Sequence, residues 1–495
     1  MGKVLKAGHA PASSGDQSTR SSPVFFTRWV CTCLLAVGML LCLLLVSIIP
    51  AGCSTPVWGR KAPEGKLTVT DVTPMGKRVL VVAPHPDDEG LATAGLIQQA
   101  LKQNVEVQVV IITAGDGSKR AARLFSKKDN PSKTDFRLLG DARCRETRDA
   151  MSVLGLPRQN AIFLAYADGS LNSLWNVSWD YNRLHTGRNG ADHSPYAFAY
   201  EKNAPCCGSN LEENLRSIIK DFEPTSIIYP DAEDVHHDHW AANAFVQYAV
   251  ISSHYRGKEY TYLVHRHDFP EPRSLAPLRH LEPPKILKSI GSIWQSLPLS
   301  RREESNKESA LKLYTIPRMV NVTFIDSFVR RNELLGIMKE AKAKKIGNKK
   351  PDFTARRIPY VVTEDPSYDS AVPGMDGSDL TKVAFCTGDS RAYLAVETKG
   401  YALDSITYSF RLRLFKGSKV DRLDISVRGK RAHCERLASN SIRFNGRIPV
   451  GMRENRLWID IPISFFSGKN ACMLSVDSTV GSSRGDRSAW RRLTL

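Results

Sequence analysis

Apolar and polar positions between residues 77 and 252 follow two alternating periods. Short, β-branched runs recur as KRVLVVAP (77–84), VEVQVVIITAG (105–115), NAIFLAYADG (160–169) and TSIIYP (225–230), with the length and composition of buried strands. Segments of helical composition lie between or after them: GLATAGLIQQALKQN (90–104), DARCRETRDAMSVLGL (141–156), NLEENLRSIIKDFEP (210–224) and HWAANAFVQYAVIS (239–252). Strands that alternate with helices in this way predict an α/β fold with a doubly wound, mostly parallel, Rossmann-like sheet. In such sheets ligands bind beyond the carboxyl ends of the strands.

The pattern changes after about residue 345. KEAKAKKIGNKKP (339–351) is a run of charge, and PSYDSAVPGMDGSD (366–379) has the Pro, Gly, Ser and Asp content of a connection. AYLAVETKG, SITYSFRLRLF, RLDISVRG and RLWIDIPISFF then read as short strands separated by turns. The expected organisation is an α/β domain over 66–345, a linker over 346–378, and a small all-β, sandwich-like domain over 379–495. The last is expected either to bind glycans or to pack on the first.

The amino-terminal part follows neither period. Residues 1–28 are polar and are expected to be disordered. Trp29–Ile49 is 21 residues without a charge, long enough to cross a membrane as a helix, so 29–52 is expected to be a transmembrane or signal segment. Pro50-Ala51-Gly52-Cys53 resembles a lipoprotein cleavage box; lipidation of Cys53 and a plain signal anchor stand side by side. Both place the bulk of the chain on the extracytoplasmic face of a bacterial cell membrane.

Charge and cysteine usage narrow the function classes. A net charge of +18 favours anionic surroundings, yet no basic stripe carries stacking aromatics, so no nucleic-acid partner is expected. Ten cysteines with no C-x-x-C pair make neither a disulfide scaffold nor a thiolate zinc site. Neighbouring Cys206 and Cys207 are expected to be unpaired or structural.

Candidate chemistry sits at two strand ends. HPDDE (85–89) follows the first strand and DAEDVHHDH (231–239) the fourth, which puts both clusters on one edge of the sheet. His85 and Asp88, three apart where a loop enters a helix, can aim at one centre, and His239 can add a second imidazole. Two imidazoles and one carboxylate leave positions open on a metal for water and substrate, the arrangement of a catalytic site. A further carboxylate beside the metal can take the proton of a water. The competing reading of HPDDE is a helix start, where acids fill caps and suit the dipole.

HPDDE after the first strand, TAGDG (113–117) after the second, RCRE and DG later, and then His-x-Asp-His resemble the PIG-L/LmbE-like metal-dependent N-acetylglucosaminyl de-N-acetylases over roughly residues 75–340. KESALKLY and SFVRRNELL (307–335) are similar to that family's late helices. The resemblance implies that His85, Asp88 and His239 bind zinc or a similar divalent ion. It implies Asp87 as general base, His236 as oxyanion stabiliser or proton donor, and Asp238 as the residue that orients His236. Asp116, Arg143 and Asp168 fall where the family places substrate-side residues. Beside that stand turn capping for the two aspartates and a pair with Glu146 for Arg143. Glu89 suits the helix start or a supporting hydrogen bond. His237 and Asp234 depart from the family pattern, and His237 reads as a bystander. The expected function is removal of an acetyl group from an N-acetylated sugar or glycan. An amidase of a small sugar-linked or thiol conjugate, and a non-catalytic surface glycan binder, are the alternatives.

Overall fold

The computed structural model describes residues 67–495. The expectations for 1–28, for the segment 29–52 and for Cys53 lie outside these residues. Among the described residues no helix is long and apolar enough to cross a membrane.

The amino-terminal half is built on an eight-stranded sheet. Its strands are β1 (Thr68–Val69), β2 (Arg78–Ala83), β3 (Glu106–Thr113), β4 (Ala161–Tyr166), β5 (Ser226–Pro230), β6 (Lys258–Tyr262), β7 (Ser292–Pro298) and β8 (Asn332–Met338). Their spatial order is β1-β7-β8-β6-β5-β2-β3-β4. The pairs β2/β3, β3/β4, β2/β5 and β5/β6 are parallel, whereas β8 runs antiparallel to both β6 and β7. The sheet is therefore mixed. NELL, expected to be helical, lies in β8 because its residues complete this sheet and bury their apolar side chains there.

The helices are α1 (Asp88–Lys102), α2 (Lys119–Ser126), α3 (Lys133–Val153), α4 (Leu171–Asn176), α5 (Gly208–Phe222), α6 (His237–Ser252), α7 (Arg301–Lys312) and α8 (Thr315–Asp326). The third begins eight residues before the expected start at 141, because Ser132 and Asp135 form a capping box there. Alternate residues of the central strands feed two cores. Val79, Val81, Val107 and Val109 face one; Leu80, Val82, Val110 and Ile112 face the other. This two-sided burial explains why these strands read as continuous apolar runs.

The chain leaves β2 toward β3 on one side and later returns through β5 on the other. That reversal opens a crevice at the carboxyl ends of β2 and β5, the place where such sheets bind ligands.

The carboxy-terminal half is two packed sheets of six and seven strands. The first holds β10 (Lys344–Gly347), β11 (Val361–Glu364), β12 (Leu380–Gly388), β13 (Arg391–Thr398), β17 (Val450–Arg453) and β18 (Arg456–Pro462). The second holds β9 (Ala341–Lys342), β14 (Ile406–Lys416), β15 (Lys419–Arg428), β16 (Arg431–Glu435), β19 (Ala471–Val480), β20 (Ser483–Arg487) and β21 (Arg491–Thr494). The stretch 346–378, expected to be a linker, contains β11 and the end of β10, both paired with β12. Its polar composition reflects edge position: the burial of β10 is mostly exposed.

The two halves share a core. Phe415, Val420, Met473 and Trp490 of the sandwich pack with Trp175, Trp179, Phe245 and Tyr248 of the α/β half. Arg422 Nη2 donates to the carbonyl of Trp175 at 2.7 Å, and Gln247 Nε2 to that of Trp490 at 3.1 Å. Residues 67–495 accordingly form one compact unit. The six described cysteines carry no disulfide.

Candidate metal centre

The carboxyl ends of β2, β3, β4, β5 and β6 all deliver polar side chains to the crevice. After β2 the chain turns through Pro84-His85-Pro86, and Asp87 caps α1 with φ at 139°, a conformation costly for a residue with a side chain. Hydrogen bonds hold it there. Asp87 N donates to Glu89 Oε2 at 3.1 Å, Glu89 Oε1 accepts from Tyr314 at 2.6 Å, and Asp88 N reaches the His85 carbonyl at 3.3 Å. Glu89 thus supports the strained turn.

His85, Asp88 and His239 meet. Asp88 Oδ2 lies 3.1 Å from His85 Nδ1 and 3.0 Å from His239 Nε2. His85, His236 and His239 also offer nitrogens within 4.8 Å of one another. Asp88 Oδ1 is buried without a hydrogen-bond partner, and the 3.0 Å contact of His239 Nε2 with Asp88 Oδ2 lacks hydrogen-bond geometry. An orphaned acceptor on a buried carboxylate is costly unless something positive meets it. The donor set, two imidazoles and a carboxylate, suits zinc or a related divalent ion.

The electrostatics agree. Burial pushes His239 down, but Asp234 and Asp88 outweigh it and hold it up at about 9. Burial likewise disfavours charge on His85, and Asp168, Asp238 and Asp88 override it. The pocket attracts positive charge.

Asp87 stands beside this centre. Arg143 Nη2 lies 3.2 Å from Asp87 Oδ2. Burial raises the carboxyl, Arg143 lowers it, and Asp88 and Glu89 raise it again, leaving it at about 7. His236 caps α6, and its Nδ1 accepts the backbone N–H of Asp238 at 3.2 Å. That bond assigns the remaining proton to Nε2. Burial, then the charges of His85 and His239, keep the ring neutral at working pH.

The structure places four of the expected residues as follows. The Asp238 carboxylate does not orient His236. It accepts from Gly169 N at 2.8 Å and Leu171 N at 3.0 Å and lies 3.3 Å from His85 Nε2; its backbone orients His236 instead. Asp116 is 1% exposed and spends its oxygens on Asp168 N, Asn189 and Tyr196, so it braces the loop rather than facing substrate. Arg143 is also turned inward, donating to the carbonyls of Gly115 and Pro86 as well as pairing with Asp87. A side chain at Gly115 would meet it at 2.5 Å, and the φ of +67° there also calls for glycine. Glu146, the alternative partner of Arg143, bonds Thr315 and Ile316 N. Asp168 Oδ1 lies 3.2 Å from His85 Nε2 while Oδ2 accepts from Gly117 N, so it belongs to the surround of His85. His237 is exposed and meets Arg484 and Arg487 of β20 at 3.3 and 3.0 Å.

Two residues join that the sequence reading did not assign. Asp234 is buried; its Oδ2 lies 3.0 Å from His239 Nδ1 and accepts from Val264 N and His265 N. His265, after β6, has its Nε2 3.9 Å from Asp88 Oδ1 and its ring stacked on Phe324 at 5.4 Å. It follows a strand at the same sheet edge, but that strand reads KEYTY and lacks the apolar run that singled out 231–239. A cleft of about 620 Å³ opens here, lined by His236, Asp238, His265, Arg273, Asn321 and Phe324 among others.

Fold and site together define an α/β protein with a buried histidine–carboxylate cluster, fit to hold a metal, at the switch point of its sheet. Residues 80–250 match the family model described as PIG-L, GlcNAc-PI de-N-acetylase, and the chain carries a domain of that family. A curated relative, the 1D-myo-inositol 2-acetamido-2-deoxy-alpha-D-glucopyranoside deacetylase of Corynebacterium glutamicum (strain R), is 26% identical over 179 residues, which are 35% of this chain and 53% of the relative. The chain thus spans about half the length of the curated relatives it matches. Among solved structures, a zinc-inhibited teicoplanin deacetylase is 16% identical, covering 53% of this chain and 98% of its own, with a TM-score of 0.35. The N,N'-diacetylchitobiose deacetylase from Pyrococcus horikoshii is 16% identical, covering 48% and 70%, with a TM-score of 0.29.

Proposed function

We propose that this protein is a membrane-anchored, metal-dependent hydrolase that removes the acetyl group from an N-acetylglucosamine-containing substrate. One observation carries the reading: His85 and His239 both close on the buried Asp88 carboxylate, whose Oδ1 has no hydrogen-bond partner, and Asp87 stands beside them with a carboxyl near neutrality. The family domain over 80–250 supports the same chemistry.

His85, Asp88 and His239 would hold the divalent ion, zinc or another transition metal. Such an ion, when bound, polarises a carbonyl and lowers the pKa of water. Asp87 takes the proton of the attacking water, which a base near pKa 7 does well at neutral pH, and passes it to the leaving nitrogen. Arg143 fixes the Asp87 carboxylate and favours its charged form. His236, with its proton on Nε2, donates to the oxygen on which negative charge develops. Asp234 holds His239 through Nδ1, leaving Nε2 for the metal. The cleft beside His236 and His265 receives the sugar. The uncharged segment Trp29–Ile49 supports anchoring, with the hydrolase on the extracytoplasmic side of a bacterial membrane.

The test is acetate release. The full chain with zinc is incubated with a panel of N-acetylglucosamine compounds and cell-wall glycans, beside Asp87→Asn. Acetate from one of them, absent with Asp87→Asn, is the expected result. Stoichiometric zinc without acetate from any would overturn the substrate class.

A further inference from the structure

Away from the metal centre, a second cluster of carboxylates lies where the sandwich meets the loop after β11. Oxygens of Asp365, Asp369 and Asp486 all fall within 4.8 Å of one another. Asp365 is 6% exposed and Asp486 7%. Asp365 Oδ2 and Asp369 Oδ1 are buried atoms with no hydrogen-bond partner. Asp486 is partly served, accepting from Leu380 N at 2.8 Å and Arg487 N at 2.7 Å.

Positive charge is near but committed elsewhere. Arg491 binds Glu233 at 3.1 Å and Thr363 Oγ1 at 3.0 Å. Arg266 binds Asp268 at 3.1 Å and the carbonyl of Glu233 at 3.1 Å. Among the described residues, no Lys, Arg or His nitrogen reaches any of the three carboxylates within the 4.0 Å of an ion pair. Asp379, with its own unpartnered Oδ1, adds further negative charge close by. Burial pushes Asp369 up to about 8, with the charges of Asp486 and Asp379 second; burial also pushes Asp486 up to about 7, against the lowering by the Leu380 and Arg487 N–H groups. An unpartnered aspartate this deeply buried is costly to desolvate unless a cation or a proton meets it.

We propose that Asp365, Asp369 and Asp486 form a second cation site, for a hard divalent ion of the calcium class, separate from the histidine-containing centre. The donor set is oxygen only, which excludes a preference for zinc and suits calcium. A spread within 4.8 Å can be bridged by one ion bonding at about 2.3–2.6 Å. The ion would tie the loop at 365–369 to β20. That strand also carries Arg484 and Arg487 to His237, next to His236, so the site braces the sandwich against the rim of the cleft.

The test uses the full chain in detergent, stripped of metals and reloaded with one zinc per chain. It is titrated with CaCl2 and, separately, MgCl2, and followed by calorimetry and thermal unfolding. The expected result is uptake of one calcium per chain and a Tm rise of roughly 2 °C or more, both lost in Asp365→Asn and in Asp369→Asn. Without calcium Asp365→Asn should melt above the wild type, because a like charge is gone; with calcium the order should invert. Asp369 is only half-buried, so Asp369→Asn decides the matter if the other variant fails to fold. No calcium uptake by the wild type, undiminished uptake by the variants, or tighter binding of magnesium would each overturn the assignment.

Discussion

His239 Nδ1 lies 3.0 Å from Asp234 Oδ2, and that contact decides which nitrogen of the ring turns toward Asp88. Asp234 is itself fixed by the N–H groups of His236, Val264 and His265, so one carboxylate ties the loops after β5 and β6 to the same ligand. Asp234→Ala should therefore weaken zinc binding about 10–100-fold while His85 and Asp88 stay in place. Chelator competition measures this. An unchanged zinc affinity would remove Asp234 from the role of orienting His239.

Arg143 bears on the protonation of Asp87. Burial raises the Asp87 carboxyl and Arg143 lowers it. Arg143→Gln removes the lowering influence, so the carboxyl holds its proton to higher pH and the base becomes available later. The acid limb of the kcat/KM profile should move to higher pH, with Asp87→Asn losing about 10²–10⁴ in rate and keeping its zinc. Both enzymes carry the same metal, so its effect cancels in the comparison. An acid limb that stays put, or moves down, would dissociate Arg143 from the base.

His265 lines the cleft with its ring against Phe324. Burial, then the charge of His239, lower it to about 4, so it is neutral at working pH and free to bond a sugar hydroxyl. His265→Ala is expected to keep its zinc and to raise KM about tenfold, the loss of roughly 1.4 kcal/mol of binding. His239→Ala should lose both metal and turnover. Loss of zinc from His265→Ala to the same extent would make His265 a ligand.

The parts of this site legible in the chain were those set by short-range pattern. His85, Asp87 and Asp88 sit at the junction of an apolar run and a helix start, and strand–helix alternation placed that junction at the same edge as His239. Asp234 acts through a contact between loops that no spacing encodes. His265 follows a strand end, but that strand reads KEYTY, without the apolar run that marks the others. Arg143 and Asp116 occupy expected positions, yet burial and competing carbonyl and amide partners turn them inward. The stretch 346–378 has the composition of a linker because edge strands expose polar side chains, as β10 does. NELL is apolar enough for either period, and pairing with β7 decides for a strand.

Trp490 reports on whether the two halves act as one. Its ring is fully buried, 5.3 Å from Trp175 and 6.3 Å from Trp240, with the Arg413 guanidinium 5.0 Å above it. Those tryptophans belong to the α/β half, one on α4 and one on α6, whose first turn carries His239. Trp490→Ala leaves a cavity in a core that both halves share, which costs about 3–5 kcal/mol. Because the cavity borders both, the loss should appear in a single urea transition, read by tryptophan fluorescence and by zinc release alike. Two separate transitions, with only the sandwich weakened, would show that the halves fold independently and that the shared core contributes little to holding the metal centre.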